Sequence, residues 1–280
     1  MSPIPNQSTI LIGKWYNMPN YEEDEMKVRV LGCHGSQLPD YNTTSFLIGQ
    51  NILVDAGTVT TVLNLKEQLK IDYILITHAH LDHVRDLVFL ADNIFHQREK
   101  KQLVIVSTKG IIEAIRRHLF NNIIWPDFSR IPSAKTPLIK FQIIQPGRKQ
   151  TIGDFQISAI NVHHVVETVG YVIENKNKTV IFLGDTGPTE EAWQVARKIK
   201  NLNAVFIETS LPDSMKDVAN ITGHLTPFFL QAELKKLKGK KPDIYLYHIK
   251  PSYWATIRKE IAVIKDRKIH IIKDGQIIRI

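Results

Sequence analysis

Apolar residues recur along the chain in two rhythms, and these predict an alternation of strands and helices. Lys27-Val28-Arg29-Val30-Leu31-Gly32 alternates at period two and predicts a half-buried strand. Residues 43–49 and 51–54 predict a hairpin about Gln50-Asn51, closed by Asp55-Ala56-Gly57-Thr58. A helix is expected from about 60 to 70, followed by the β-branched run 71–76, read as a buried strand. Residues 84–91 return to helical spacing, 103–106 to a strand, and 109–120 to a helix with positions 111, 112, 115 and 119 on one side. Residues 121–137 are irregular and carry Trp125, Pro126 and Phe128, either as a lid over a pocket or as a packed loop. Further strands are expected at 138–145, 154–161, 168–174 and 178–183, then a helix at 189–199 and a strand at 204–207. A helix at 224–237, a strand at 243–247, a helix at 252–265 and two short strands close the chain.

Each half therefore reads as several strands followed by βα units. No Pro/Gly/Ser-rich linker separates the halves. The pattern predicts one α/β domain over 1–280, two sheets between helices, with 1–27 as an N-terminal arm or edge hairpin.

Composition narrows this only slightly. Hydrophobic residues make up 43% and charged residues 23%, as in globular proteins. No apolar run is long enough to span a bilayer, the first residues lack the blocks of a signal peptide, and Cys33 is the single cysteine. A cytoplasmic, reducing location is expected, without membrane association. The formal net charge of +8 suits an anionic substrate. The five lysines within 234–241 read as a solvated helix end rather than a nucleic-acid patch, because no aromatics are interleaved with them.

The chemistry is concentrated in Thr77-His78-Ala79-His80-Leu81-Asp82-His83, at the turn from strand 71–76 into the following helix. Neutral imidazole and carboxylate are preferred divalent-metal ligands, and α/β sheets place their sites at the carboxyl ends of strands. His78 and His80, two apart, point the same way in an extended segment. Asp82 and His83, where the chain turns, can aim at a neighbouring point. In the second half His163-His164, Asp185 and His248 likewise end predicted strands.

The His-Ala-His-Leu-Asp-His motif, Leu53-Val54-Asp55-Ala56-Gly57, Gly184-Asp185-Thr186 and the late His248 resemble the metallo-β-lactamase superfamily. The resemblance covers about residues 28–250. It implies a four-layer αβ/βα sandwich with two divalent metals, zinc first, manganese or iron as alternatives. Carried over, His78, His80 and His164 would hold one metal, Asp82, His83 and His248 the other, and Asp185 would bridge. His164 is chosen over His163 because family phosphodiesterases place this histidine six residues before a Gly-Tyr pair, here Gly170-Tyr171. His163, on the opposite face of an extended segment, is read as structural. Asp55 is expected behind the metals, fixing the tautomer of a ligand histidine. The remaining histidines, His34, His96, His118 and His270, lack such a setting.

Glu208-Thr209-Ser210-Leu211-Pro212, Gly223-His224-Leu225-Thr226-Pro227 and His248-Ile249-Lys250-Pro251 are similar to class II 3′,5′-cyclic-nucleotide phosphodiesterases. Asp86 stands where that family has a glycine. His224, expected to open a helix, resembles the histidine that assists the leaving group. The resemblance implies hydrolysis of cyclic AMP or cyclic GMP by a hydroxide bridging two metals about 3.5–4 Å apart. His224 and Asp82 are the residues whose loss should abolish turnover. The alternatives are a tRNA 3′-processing endonuclease, acting on RNA, and a non-catalytic nucleotide or metal sensor. A homodimer is the expectation from the prevalence of two-fold oligomers.

Overall fold

The computed structural model describes residues 25–98 and 101–280. The expected arm over 1–27 lies almost entirely outside these residues. Among them, none of the helices is long and apolar enough to cross a membrane.

The first sheet is built from β1 (Lys27–Gly32), β2 (Ser45–Ile48), β3 (Ile52–Val54), β4 (Tyr73–Leu75), β5 (Leu103–Ser107) and β6 (Ile139–Ile143). The second contains β7 (Lys149–Ile152), β8 (Phe155–Asn161), β9 (Val169–Asn175), β10 (Lys178–Phe182), β11 (Leu202–Glu208), β12 (Asp243–Tyr247) and β13 (Ile269–Ile271). The final strand, β14 (Ile277–Arg279), returns to the first sheet beside β1. Both sheets are seven-stranded and mixed. β3 to β6 run parallel, as do β10 to β13, while antiparallel pairs form the remainder of each sheet. The predicted hairpin pairs Ile48 with Ile52 across a turn that uses Gly49 at φ 61°.

Period-two alternation decides which side chains enter which layer. Tyr171, Val180, Phe182, Phe206, Tyr245 and Tyr247 join Val28, Phe46 and Ile74 in one core. The intervening Val172, Ile181, Leu183, Val205, Ile207 and Leu246 face the helices α5 (Glu191–Lys198), α7 (Pro227–Lys235) and α8 (Trp254–Ile261) through Trp193, Leu230 and Ile257. The aromatics form a spine across the sheets, with Phe46 5.2 Å from Phe182 and Phe182 stacked at 4.2 Å on Phe206. Helices α3 (Asp86–Phe95) and α4 (Lys109–His118) add Leu87, Leu90, Ile111 and Ile115 to the first core. Phe128 packs on Phe95 at 5.3 Å and Trp125 on Phe89 at 5.4 Å, so the 121–137 aromatics form a packed loop against α3 rather than a lid.

Several elements differ from the pattern-based expectation. The helix expected over 60–70 reduces to α1 (Leu65–Gln68), started by an Asn64/Glu67 capping box. The break lies at Asn64, whose extended backbone (φ −70°, ψ 166°) makes it the N-cap and leaves the preceding residues outside the helix. Those residues are anchored by Asp86, whose Oδ2 accepts from the Val59 N–H at 2.6 Å, the Thr60 N–H at 2.8 Å and the Thr60 hydroxyl at 3.0 Å. Replacing Asp86 by Ala is expected to lower stability by about 2 kcal/mol, because the buried Val59 N–H loses a charged acceptor. Urea unfolding checks this, and an unchanged midpoint would contradict it. The segment expected as one helix over 84–91 is divided into α2 (Leu81–Val84) and α3. Two elements were missed, the edge strand β7 and the helix α6 (Lys216–Thr222).

Candidate metal centre

Four of the candidate ligands sit just beyond the carboxyl end of a strand, and His80, Asp82 and His83 follow in the turn into α2. His78 follows β4, His164 follows β8, Asp185 follows β10 and His248 follows β12, so distant segments converge where the two sheets meet at one end. The structure brings together all seven: His78, His80, Asp82, His83, His164, Asp185 and His248. Two triads form, His78/His80/His164 and Asp82/His83/His248. In the first, His80 Nδ1 is 3.4 Å from His164 Nε2. In the second, His248 Nε2 lies 3.3 Å from His83 Nε2 and 3.1 Å from Asp82 Oδ2. Asp185 Oδ2 stands between them, 3.8 Å from His78 Nε2, 3.5 Å from His83 Nε2 and 3.2 Å from His248 Nε2. Two ligands of one tetrahedral zinc-like ion should be ~3.3 Å apart. The observed spacings fit.

The nitrogens turned away from this centre are held by neighbours. His83 Nδ1 meets Asp55 Oδ2 at 2.8 Å, and Asp55 also accepts from the Thr77 N–H and hydroxyl. His78 Nδ1 meets the Thr77 hydroxyl at 3.1 Å, His164 Nδ1 the Gly223 carbonyl at 2.8 Å, and His248 Nδ1 the Ser210 hydroxyl at 2.8 Å. These partners select tautomers that leave Nε2 as a lone pair facing the centre. Among the seven converging residues, two buried atoms remain without a hydrogen-bond partner, His78 Nε2 and Asp185 Oδ1. Orphaned donors and acceptors of this kind are expensive unless a cation meets them. The residues present therefore fit bound divalent ions.

Electrostatics agree with this chemistry. Burial holds the His78, His80 and His164 imidazoles below their usual pKa, keeping them neutral. Burial would raise the carboxyl groups of Asp82 and Asp185, but surrounding imidazoles outweigh it and hold both below the usual range. For His83, burial acts downward, and Asp185 with Asp55 overcomes it, raising the imidazole well above its ordinary value.

Backbone strain supports the same arrangement. His248 and Asp55 adopt left-handed conformations at φ 61° and 59°. The His248 N–H donates to the Cys33 carbonyl at 2.6 Å, and a side chain at Gly35 would collide with His248. His163 contributes its main chain, donating to the Thr186 hydroxyl and accepting from the Gly187 N–H, and stays outside both triads. His34 packs edge-on against Tyr41, with Nε2 3.6 Å from Asp274 Oδ1, and stays outside both triads.

His224 does not open a helix as expected. Helix α6 ends at Gly223, φ 67°, and the His224 N–H caps it by donating to Ala219. Helix α7 starts later, with Thr226 as N-cap and Pro227 following. His224 is thus fixed in the short connection. Its ring centroid is 5.0 Å from that of His164, and its Nδ1 is 2.8 Å from Glu208 Oε1. Sequence reasoning did not single out Glu208. The signal was a carboxylate ending the apolar strand β11, fully buried in the fold. Glu208 also accepts from the Ser210 hydroxyl at 2.8 Å, and Ser210 touches His248, so one network spans both histidines. Desolvation pulls the His224 imidazole down, but the Glu208 carboxylate pushes it up to about 9.

The model for the β-lactamase superfamily domain matches residues 50–249, the span that carries all seven converging residues. The chain belongs to the β-lactamase superfamily. Among superfamily relatives, a probable 3′,5′-cyclic-nucleotide phosphodiesterase of Yersinia pestis is 28% identical over 64% of this chain and 57% of its own length. The 3′,5′-cyclic-nucleotide phosphodiesterase 1 of Saccharomyces cerevisiae is 31% identical over 58% of this chain and 49% of its own. The chain spans about half the length of these two curated relatives. Ribonucleases Z match as well, at 25–30% identity. In fold, the chain is similar to the crystal structure of unliganded yeast PDE1, with a TM-score of 0.78, 21% identity, 90% of this chain and 98% of that one covered. The metallo-β-lactamase sandwich expected from the sequence is thereby shown, and with it a fold that binds divalent metal.

Proposed function

We propose that this superfamily member is a phosphodiesterase that hydrolyses 3′,5′-cyclic nucleotides to 5′-monophosphates. His78, His80 and His164 would hold one divalent ion, Asp82, His83 and His248 a second, with Asp185 shared. The nitrogen-rich donor set suits zinc, with manganese and iron as alternatives set by availability. When bound, such a pair supplies Lewis acidity toward phosphate oxygens and lowers the pKa of water. The protein's own residues do the remainder. Asp82, whose side chain keeps 31% exposure at the mouth, accepts a hydrogen bond from the attacking water and orients it. Glu208 holds the His224 Nδ1–H, so Nε2 carries the proton that passes to the departing 3′ oxygen.

The observation that carries the reading is the buried Glu208–His224 pair beside the double triad. A hydrolase of activated esters has little need of a strong proton donor, whereas an alkoxide leaving group does. The names of the matched relatives support the same substrate class. A reaction panel of cyclic AMP, cyclic GMP and a precursor tRNA tests it. Release of 5′-monophosphate from the cyclic nucleotides is expected. Cleavage of the tRNA alone would transfer the centre to RNA processing, and no turnover of any substrate would favour a sensor.

A further inference from the structure

The rim of the centre is divided in chemistry. On the His248 side, two cations brace the 33–37 loop, with Lys250 Nζ donating to the Gly35 carbonyl at 3.0 Å and Arg85 to Gln37 at 3.0 Å. On the His80/His164 side the rim is aliphatic and exposed. Leu81, between His80 and Asp82, is 63% exposed, Val165, next to His164, 57%, and Ile221, two residues before Gly223, 76%. Contacts join the residues that flank them. His80 meets His164 at 3.4 Å, His164 Nδ1 meets the Gly223 carbonyl, and a side chain at Gly223 would lie 3.2 Å from the Val165 nitrogen.

A polar metal pocket gains nothing from exposed aliphatics unless its substrate carries an apolar part. Exposed apolar residues grouped at a site mark a surface that something covers. The phosphoryl group of a substrate is drawn to the triads, and the group attached to it must then lie across one rim or the other. An RNA strand tracks best along cations, and a flat base rests best on apolar side chains.

From this we infer that Leu81, Val165 and Ile221 form the seat for the substrate's nucleobase, which lies on the His80/His164 side while the phosphoryl group occupies the centre. This rests on the phosphodiesterase reading and refines it to a base-carrying substrate. Aliphatic side chains offer contact area without donors or acceptors. The seat therefore distinguishes a substrate with a base from one without, and separates adenine from guanine weakly.

The test compares kcat/KM for cyclic AMP, cyclic GMP and methyl riboside 3′,5′-cyclic phosphate, which keeps the sugar and the phosphodiester but lacks a base. In the wild-type chain cyclic AMP and cyclic GMP should agree within about tenfold, and both should exceed the base-free diester by more than that. Ile221→Ser and Val165→Ser, at exposed positions where folding tolerates the change, should each cut the cyclic AMP to base-free ratio about tenfold, with the loss in KM. Wild-type turnover of cyclic nucleotides with ratios unchanged in both variants would overturn the seat and leave the phosphodiesterase reading standing. A wild-type chain that turns over no cyclic nucleotide would overturn both. Light scattering is run alongside. A drop from dimer to monomer in the variants would assign the rim to a second copy of the chain and overturn the seat.

Discussion

Asp185→Asn is expected to reduce turnover on the order of 10³-fold, equivalent to ~4 kcal/mol in the barrier, and to reduce bound metal. Asp185 Oδ2 lies within 4 Å of His78 in one triad and of His83 and His248 in the other, and burial gives it no access to water that could substitute for a lost ligand. The amide keeps the shape and removes the negative charge that offsets two dications. Five imidazoles contribute none, and Asp82 alone would remain. Metal analysis of the purified variant should therefore show less than the wild-type content under the same loading. The fold should survive, because the amide keeps the shape and Asp55 remains as the hydrogen-bond partner of His83. A variant that keeps full metal content and wild-type turnover would contradict the shared position.

His224→Ala should lower kcat by about 10²–10⁴-fold while KM changes little, since the imidazole acts on the leaving oxygen and not on ground-state binding. The pH dependence follows from its partners. With its pKa raised to about 9, His224 is protonated at neutral pH, and turnover that uses this proton should decline as pH rises through about 9. Glu208→Gln removes the carboxylate that raises it, leaving the downward pull of burial. The alkaline limb of the kcat profile should then move to lower pH, and the rate at neutral pH should fall. A purely structural Glu208 would change stability without shifting that limb. An unshifted limb in Glu208→Gln, or a full rate in His224→Ala, would remove the proton-donor role.

How much of this was legible in the sequence depends on the range of the interaction involved. The seven converging residues could be read because each ends an apolar run or belongs to the His78–His83 cluster that follows one, a signal confined to a few neighbours. His164 was separated from His163 by a count to Gly170-Tyr171, and the fold places its ring against His80. The helix over 60–70 was drawn too long although Asn64 and Glu67 form a local capping box, and the anchoring of the preceding loop by Asp86, 26 residues from Thr60, forms only when α3 packs. The start of α7 was placed too early although Thr226-Pro227 is a local N-cap signal, and the helix α6 that precedes it was hidden by the mixed composition of 216–222. Glu208 was read only as part of the Glu208–Pro212 motif and given no role, because a carboxylate at a strand end carries no label of its own. Its meaning comes from His224, 16 residues on. The return of β14 to β1 is a pairing across nearly the whole chain, and nothing local encodes it.

Turnover is expected to require two cation sites formed by one set of side chains and acting together on a phosphodiester. Metal-depleted protein, titrated with zinc while formation of 5′-AMP from cyclic AMP is followed, tests that most directly. The rate is predicted to rise to a plateau at two equivalents per chain. A plateau at one equivalent, or binding of two with no 5′-AMP formed, would contradict it.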